Sequence, residues 1–254
     1  MSVDETVYAA PGSALERPPE GSARSLEDAI AGNWDFDIMD VLSESWQKLS
    51  GAKGAMWVGF LISYAITFVL QLVVGGMLGI DNDPNAGAGA IAGVMVLSLG
   101  GQAITFIVTG GIYYYAIKWS AGDHSATATD VLAGFSVALP LLGMWFLMIL
   151  LIWVGFLLLI LPGLYLTLAY SLAAPLIVER GLGIWEALET SRKAITNHWF
   201  KVFGLGLVAT LAALLGTVVT LGIGLIWAAP FFFMVYGVLY NRIFGYSGSG
   251  ATAG

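Results

Sequence analysis

The sequence contains no cysteine and only two histidines among its 254 residues. Without cysteine, disulfides, thiolate metal sites and cysteine nucleophiles are all excluded. Neither His124 nor His198 has an acidic residue or a second histidine at metal-binding spacing. No serine occupies a nucleophile elbow, and no glycine-rich loop follows a strand. We therefore predict no metal, no cofactor and no catalytic residue, and we interpret His198 as an interfacial residue rather than a base.

Charge is also scarce, since 11% of the residues are charged and 58% are hydrophobic, with a mean hydropathy of +0.83. This balance is too apolar for a soluble domain and is typical of an integral membrane protein. Four runs contain no Asp, Glu, Lys or Arg: 54–80, 84–117, 131–178 and 202–241. A helix needs about 20 apolar residues to cross a bilayer, so the first two runs hold one span each and the last two hold two each. The sequence predicts an all-α polytopic membrane protein with six transmembrane helices.

The turns and the basic residues predict an orientation. We expect the two longer runs to turn at 161–163 and 221–224, where proline and glycine occur. All ten basic residues lie outside these turns and outside the 81–87 turn between the first two spans. Because lysine and arginine accumulate on the cytoplasmic side, both termini are predicted to be cytoplasmic.

Three segments with similar patterns each precede two spans: 38–49 (IMDVLSESWQKL), 128–139 (ATDVLAGFSVAL) and 184–195 (IWEALETSRKAI). Asp40, Asp130 and Glu186 align, and each would lie in the first turn of a helix, where a carboxylate suits the helix dipole. The first and third segments have the apolar spacing of an amphipathic helix. We predict three repeats, each an amphipathic helix followed by a membrane hairpin.

The four uncharged runs lack the ionisable residues that proton relays, ion-coupled transport and intramembrane hydrolysis usually require. Their polar side chains are Gln71, Gln102, Thr105, Thr109, Thr167, Ser171, Thr210, Thr217 and Thr220. These groups either form hydrogen bonds between helices or line a polar path. We favour hydrogen bonds, and we interpret the small-residue pairs Gly89–Gly93, Gly216–Thr220 and Gly224–Ala228 as packing contacts.

The N-terminal region is acidic, with ten acidic and four basic residues in 1–53. Such a region should not bind nucleic acid. Residues 1–35 are rich in Pro, Gly, Ser, Ala and acids, which predicts a disordered cytoplasmic leader. The membrane domain is then 36–245 and a flexible tail is 246–254. The leader is either a passive tail or a short docking motif for a protein partner. The surface helices are an alternative binding site for such a partner.

The stretch LPGLYLTLAYSLAAPLIVERG joins the fourth span to the third repeat segment. We predict that Pro162 starts a helix after the turn, because its missing N–H has no partner there. Pro175 is expected to bend the same span toward the surface helix. Glu179 and Arg180 then mark the exit into the cytoplasm. They are interpreted as part of a solvated, self-paired face with Glu189 and Lys193; the alternative is a face that docks lipid headgroups or a protein.

This stretch resembles the signature of YciC-like bacterial inner-membrane proteins, and also the membrane domain attached to some glycerophosphodiester phosphodiesterases. The resemblance covers about 45 residues and rests on Pro162, Gly163, Pro175, Glu179, Gly181, Gly183, Glu186, Ala187 and Ser191. It implies a fold and a location in the bacterial inner membrane. It implies no phosphodiesterase activity, since this chain has no room for the catalytic barrel, and no catalytic residue can be transferred.

Three functions remain to be distinguished. The favoured hypothesis is a non-enzymatic inner-membrane protein that acts as a scaffold, an accessory subunit or an organiser of envelope lipids. The alternative is a transporter or exporter of a small or amphiphilic molecule, suggested by the repeats and the interrupted apolar runs. An intramembrane enzyme is the least favoured, and a cytoplasm-facing cavity lined by Glu179, Arg180 and His198 would revive it.

Overall fold

The computed structural model describes residues 24–78, 88–123 and 125–248, and the regular structure in these ranges is helical. Six helical segments are long and apolar enough to cross a membrane, which confirms the predicted all-α fold and the count of six. A 3₁₀-helix (Ala128–Val137) precedes α4. In chain order the α-helices are α1 (Leu26–Ala31), α2 (Ile38–Leu78), α3 (Ala88–Ser120), α4 (Ala138–Leu158), α5 (Ile160–Ala169), α6 (Ala173–Arg180), α7 (Ile184–Asn197), α8 (Trp199–Val219) and α9 (Leu225–Ile243).

The first span is longer than predicted, because α2 continues for 41 residues. At about 1.5 Å per residue it measures about 60 Å, roughly twice the hydrocarbon thickness of a bilayer. The segment 38–49 is the first part of α2 and not a separate surface helix. Two glycines follow it, but glycine only lowers helix propensity, and no proline interrupts the run. A Cβ on Gly51 would lie 2.5 Å from the Trp119 ring, so this glycine serves close packing with α3.

The second repeat segment forms a 3₁₀-helix that lies directly against α3. A Cβ on Gly134 would overlap the carbonyl oxygen of Ile107, and one on Gly111 would overlap that of Val131. Only glycine at both positions permits this approach of two backbones. The three repeat segments thus adopt three structures: the start of a long helix, a 3₁₀-helix and the separate helix α7. The internal repeat stays a prediction.

The turn between the third and fourth spans lies two residues before its predicted position. Leu159 is extended, with φ −164° and ψ 152°, and α5 begins at Ile160. Pro162 is the third residue of α5, where an N–H would have no intrahelical acceptor. Its predicted role at the start of a helix therefore agrees with the structure, while the predicted turn at 161–163 is wrong.

The fourth span is broken rather than bent. Residues 170–172 form turns between the end of α5 at Ala169 and the start of α6 at Ala173. Pro175 is the third residue of α6 and has no N–H to donate to the carbonyl of Ser171, four residues earlier. The helix consequently restarts just before the proline. The predicted bend at Pro175 is corrected to a break three to five residues upstream.

The last hairpin turns at residues 220–224, as predicted. Pro230 lies inside α9 and cannot donate to the carbonyl of Ile226, and the Trp57 indole N–H donates to that oxygen instead, at 3.0 Å. This contact places the beginning of α9 beside the middle of α2. From Trp57 to Leu78, α2 extends for a further 30 Å or so. The turn at 220–224 therefore lies far from the end of α2, whereas the sequence placed the hairpin turns on one common face.

The buried core lies among α2, α3 and α9, with contributions from α6, α7 and α8. Fully buried large side chains include Met56 on α2, Tyr115 on α3 and Tyr240 on α9. The outward faces and the hairpin ends are apolar and exposed; Leu157 is 82% exposed and Val219 79%. A bilayer covers such surfaces in a membrane protein, so the buried core holds one end together while the hairpin ends face lipid.

Candidate functional site

Glu179 is buried inside the protein, which corrects its interpretation as part of a solvated surface pair. Its side chain is 0% exposed. The Tyr240 hydroxyl donates to it at 2.6 Å, and the N–H and hydroxyl of Ser247 donate at 2.7 Å and 2.5 Å. Arg180 Nε is 3.1 Å from the same carboxylate. A buried carboxylate is tolerated when it is paired and fully hydrogen-bonded, as it is here.

Arg180 holds the two ends of the described chain together. Its Nη2 donates to the carbonyl oxygens of Phe244 at 2.5 Å and Gly245 at 3.0 Å, and its Nη1 donates to that of Arg24 at 3.3 Å. The guanidinium also lies over the Phe244 ring, 5.9 Å from the ring centre. Arginine suits this position because its planar fork presents five donors in fixed directions.

Arg24 completes this assembly from the N-terminal side. Its backbone N–H donates to the Phe244 carbonyl at 2.8 Å, and its Nη1 donates to the Arg242 carbonyl at 2.5 Å. Burial, with the nearby positive charge of Arg242, lowers the pKa of Arg24 from its usual value. We call Arg24, Glu179, Arg180, Tyr240 and residues 244–247 the clasp.

The clasp changes the predicted domain limits. Residues 24–35 belonged to the predicted disordered leader, yet they include a clasp residue, α1 and the buried Trp34. Residues 246 and 247 belonged to the predicted flexible tail, yet Ser247 is bound to Glu179. The remaining leader and tail residues, 1–23 and 249–254, lie outside the described residues. Both ends of the described chain meet at one place, so they lie on the same side of the protein.

A second polar cluster joins α2, α3 and α9 next to the clasp. Glu44 accepts from Lys48 and Arg242, each at 2.6 Å. Lys48 also donates to the Ser120 carbonyl at 2.6 Å, and the Asn241 amide donates to the Ser120 hydroxyl at 2.8 Å. The beginning of α2 and the ends of α3 and α9 are therefore connected by charge-assisted hydrogen bonds, which are among the stronger polar contacts.

Ser191 stabilises the break in the fourth span, and this explains its place in the motif. Its hydroxyl donates to the Ala169 carbonyl at 2.7 Å and accepts from the Leu172 N–H at 3.2 Å. The two groups lie on opposite sides of the break, where a helix leaves backbone groups without partners. Ser191 is fully buried on the inner face of α7, so this one side chain replaces part of the missing helical pattern.

The other motif residues have separate roles. Gly163 packs against α4, where a Cβ would overlap the Phe156 ring. Gly181 ends α6 with a φ of +65°, in the left-handed region that favours glycine. Glu186 is exposed in the first turn of α7, as its alignment with other helix-start acids predicted. The structure thus places Ser191 at the break before α6 and Glu179 in the clasp at the end of α6, and leaves Glu186 on the surface.

The outer face of α7 fits the predicted self-paired surface. Arg192 lies 2.7 Å and Lys193 3.4 Å from the Glu189 carboxylate. The hydrogen bond from Arg192 holds the pKa of Glu189 below its usual value, and the same bond raises that of Arg192. Lys201 pairs with Asp35 on another exposed surface and likewise lowers the pKa of that carboxyl. These pairs are solvated, unlike Glu179.

His198 packs against the Trp34 ring with 4.5 Å between ring centres, and its Nε2 is 3.3 Å from the Gly32 carbonyl. The interpretation of His198 as an interfacial residue stays a prediction. His124 lies outside the described residues. In the described ranges no group of three His, Asp or Glu side chains is arranged to hold a metal ion.

The hydroxyl groups of the spans mostly bond within their own helices. Thr167 donates to the Gly163 carbonyl at 2.9 Å, Thr210 to Gly206 at 2.7 Å and Thr220 to Gly216 at 2.6 Å. The Ser63–Thr105 pair, at 3.2 Å, connects α2 with α3. Gln71 and Gln102 are exposed on the outer surface. The predicted helix-to-helix bonding of these groups is therefore wrong for the three threonines.

Sequence reasoning missed Tyr240, Ser247, Glu44 and Arg242. One signal was available, because Glu44 and Lys48 have the spacing of a helical ion pair. Arg242 is the single charged residue after Lys201, which marks the end of the last span but not its partner.

Comparisons with protein-family models, with curated proteins and with solved structures gave no match for this chain. The resemblance to YciC-like proteins stays a prediction.

Proposed function

We propose that this chain is a non-enzymatic scaffold or accessory protein of the bacterial inner membrane, which organises lipids or a partner protein around a rigid helical core. The observation that carries the proposal is the clasp, in which a buried glutamate and an arginine bind the two ends of the described chain to the fourth span. Its donors and acceptors hold segments of this chain to one another. Such contacts serve rigidity rather than turnover.

The distribution of apolar surface supports the same proposal. The exposed faces of α2, α4 and α8 carry long rows of Leu, Val, Ile and Phe, which a membrane or another helix would cover. A rigid core with extended apolar faces suits a protein that positions other membrane components. We further propose that both termini are cytoplasmic, which agrees with the meeting of Arg24 and residues 244–247, the two ends of the described chain, on one side of the protein.

The test is extraction of the full chain into native nanodiscs, followed by mass spectrometry of the proteins and lipids that co-purify. The scaffold function predicts a reproducible partner or a defined lipid that is enriched over nanodiscs containing an unrelated six-span protein. The Glu179→Ala variant should lose that enrichment at equal protein load, while Glu186→Ala should retain it. Enrichment of neither protein nor lipid in the wild-type sample would refute the proposal.

Transport of a small or amphiphilic molecule is the second candidate, and the break in the fourth span favours it. Discontinuous spans often form transport sites. The buried hydroxyl oxygen of Ser171 lies in this break close to the Tyr236 phenol, and Tyr236 lines a small apolar cleft between α8 and α9 with Val202 and Phe232. Flux of an amphiphilic dye into proteoliposomes should then fall in Ser171→Ala and remain normal in Gln102→Leu. Equal flux in both variants would count against this path.

A further inference from the structure

Lys53 differs from the other basic residues of the described ranges, because it has no carboxylate or carbonyl partner there. Its ammonium nitrogen lies over the Trp227 ring, 5.4 Å from the ring centre. The remaining described lysines and arginines face a carboxylate or donate to a backbone carbonyl: Arg24, Lys48, Lys118, Arg180, Arg192, Lys193, Lys201 and Arg242. A cation–π contact attracts an ammonium group without neutralising its charge. Lys53 therefore retains the capacity to bind an anion.

The surroundings of Lys53 are fixed by helix packing. The missing N–H of Pro230 leaves the Ile226 carbonyl to the Trp57 indole, which holds the first turn of α9 against α2. This contact places the Trp227 ring beneath Lys53, one turn before Trp57 on α2. Lys53 is half-buried, and the neighbouring Gly54 is exposed on α2, where a Cβ would meet no atom within 4 Å.

The surface next to Lys53 is apolar on both helices. Val58 and Leu61 on α2 are 41% and 63% exposed, and Ile223 in the turn before α9 and Ile226 in its first turn are 60% and 47% exposed. A soluble anion would gain nothing from these side chains. A molecule with an anionic head and a hydrocarbon tail would bind both features, and tryptophan beside lysine is typical of headgroup depth in a membrane.

We propose that Lys53 and Trp227 form a binding site for an anionic glycerophospholipid, with the phosphate on the Lys53 ammonium and an acyl chain along Val58, Leu61 and Ile226. The proposal names the lipid class for the lipid-organising role proposed above and rests on that role. The site binds the lipid through one cation, so it selects anionic over zwitterionic headgroups.

The experiment is native mass spectrometry of the full chain, released from nanodiscs of mixed phosphatidylglycerol and phosphatidylcholine. Wild-type protein should retain phosphatidylglycerol in preference to phosphatidylcholine. In Lys53→Gln the retained phosphatidylglycerol should fall about fivefold, which is the effect expected for one lysine at an anionic surface. Lys53→Arg should retain it, and Lys193→Gln should behave as wild type, because Lys193 is paired with Glu189. Matching thermal unfolding of all four proteins excludes a loss of fold.

Equal phosphatidylglycerol retention by wild type and Lys53→Gln would overturn the site while leaving the scaffold function intact. A wild-type protein that retains no lipid and no partner would refute both. Inorganic phosphate that displaces the lipid at low concentration would overturn the requirement for an acyl chain. If a lysine-acylating reagent reaches Lys53 in lipid-free micelles only after residues 1–23 are deleted, the acidic leader is the occupant and the lipid proposal fails.

Discussion

The clasp and the hairpin ends are stabilised by different interactions, although they belong to the same helices. At the clasp, Glu179 is 0% exposed, and its carboxylate is held by directed hydrogen bonds and an ion pair. At the tip of the α4–α5 hairpin, Leu157 is 82% exposed, and the helices pack closely where Gly155 approaches Gly163. Polar contacts fix which segments meet, whereas the apolar ends depend on shape and on the lipid around them. Substitutions at the two places should therefore differ in size and in their response to lipid.

The largest effect is expected from Glu179→Ala, which leaves Arg180 and Tyr240 buried without their partner. Removing one member of a buried pair costs about 3–5 kcal/mol. We expect a loss of this size in the free energy of unfolding, measured by denaturant titration in detergent micelles, and faster proteolysis of the C-terminal tail. The matched control is Glu186→Ala, an exposed glutamate on α7, which should unfold as wild type does. Equal stability of the two variants would show that the clasp does not hold the ends.

A smaller loss is expected from Gly134→Ala, at the contact between the 3₁₀-helix and α3. The new methyl group would overlap the Ile107 carbonyl, and because both partners are backbone, one helix must move. Such overpacking costs about 1–3 kcal/mol. Gly206→Ala on α8 is the control, since a Cβ there meets no atom within 4 Å and alanine favours a helix. The midpoint temperature of thermal unfolding should be lower in Gly134→Ala than in wild type, and it should be unchanged or higher in Gly206→Ala.

Ser191→Ala tests the break in the fourth span. It removes one donor and one acceptor for the Ala169 carbonyl and the Leu172 N–H, and a buried group without a partner costs about 1–3 kcal/mol. Hydrogen exchange should accelerate at residues 170–173 in particular. Ser136→Ala is the control, because the Ser136 hydroxyl is exposed and bonds locally to the Ala133 carbonyl. Unchanged exchange at the break would assign Ser191 to packing alone.

The fold was largely predictable, because uncharged runs of sufficient length indicate helices that can cross a membrane. Proline and glycine within these runs indicate the turns between the helices. The error at 161–163 arose because proline is also accepted within the first turn of a helix, so Pro162 marks a start only to within two residues. The length of α2 was hidden for the opposite reason, since two glycines without a proline do not end a helix. Local sequence patterns therefore predict which helices form, but they do not determine the residues at which each helix begins and ends.

The candidate site was much less predictable. Sequence identified Glu179 and Ser191 as motif residues, but Tyr240 and Ser247 lie 61 and 68 positions from Glu179 along the chain. Contacts of this range follow from how the helices pack, and no local pattern encodes them. The same limit applies to Lys53, whose neighbour Trp227 comes from the last span.

The smallest effect is expected from Asp35→Asn, and it separates exposed ion pairs from the clasp. The hydrogen bond from Lys201 lowers the pKa of Asp35 in the folded protein. The stabilising contribution is therefore complete above the ordinary aspartate pKa and is lost as pH falls through the lowered folded value. Because the side chain is 68% exposed, this contribution should be below about 1 kcal/mol. The free energies of unfolding of wild type and Asp35→Asn should differ slightly at neutral pH and become equal in acid. The difference at neutral pH should decrease as salt is added. A gap as large as that of Glu179→Ala, or one that persists in acid, would mean that exposure does not set the strength of ion pairs in this protein.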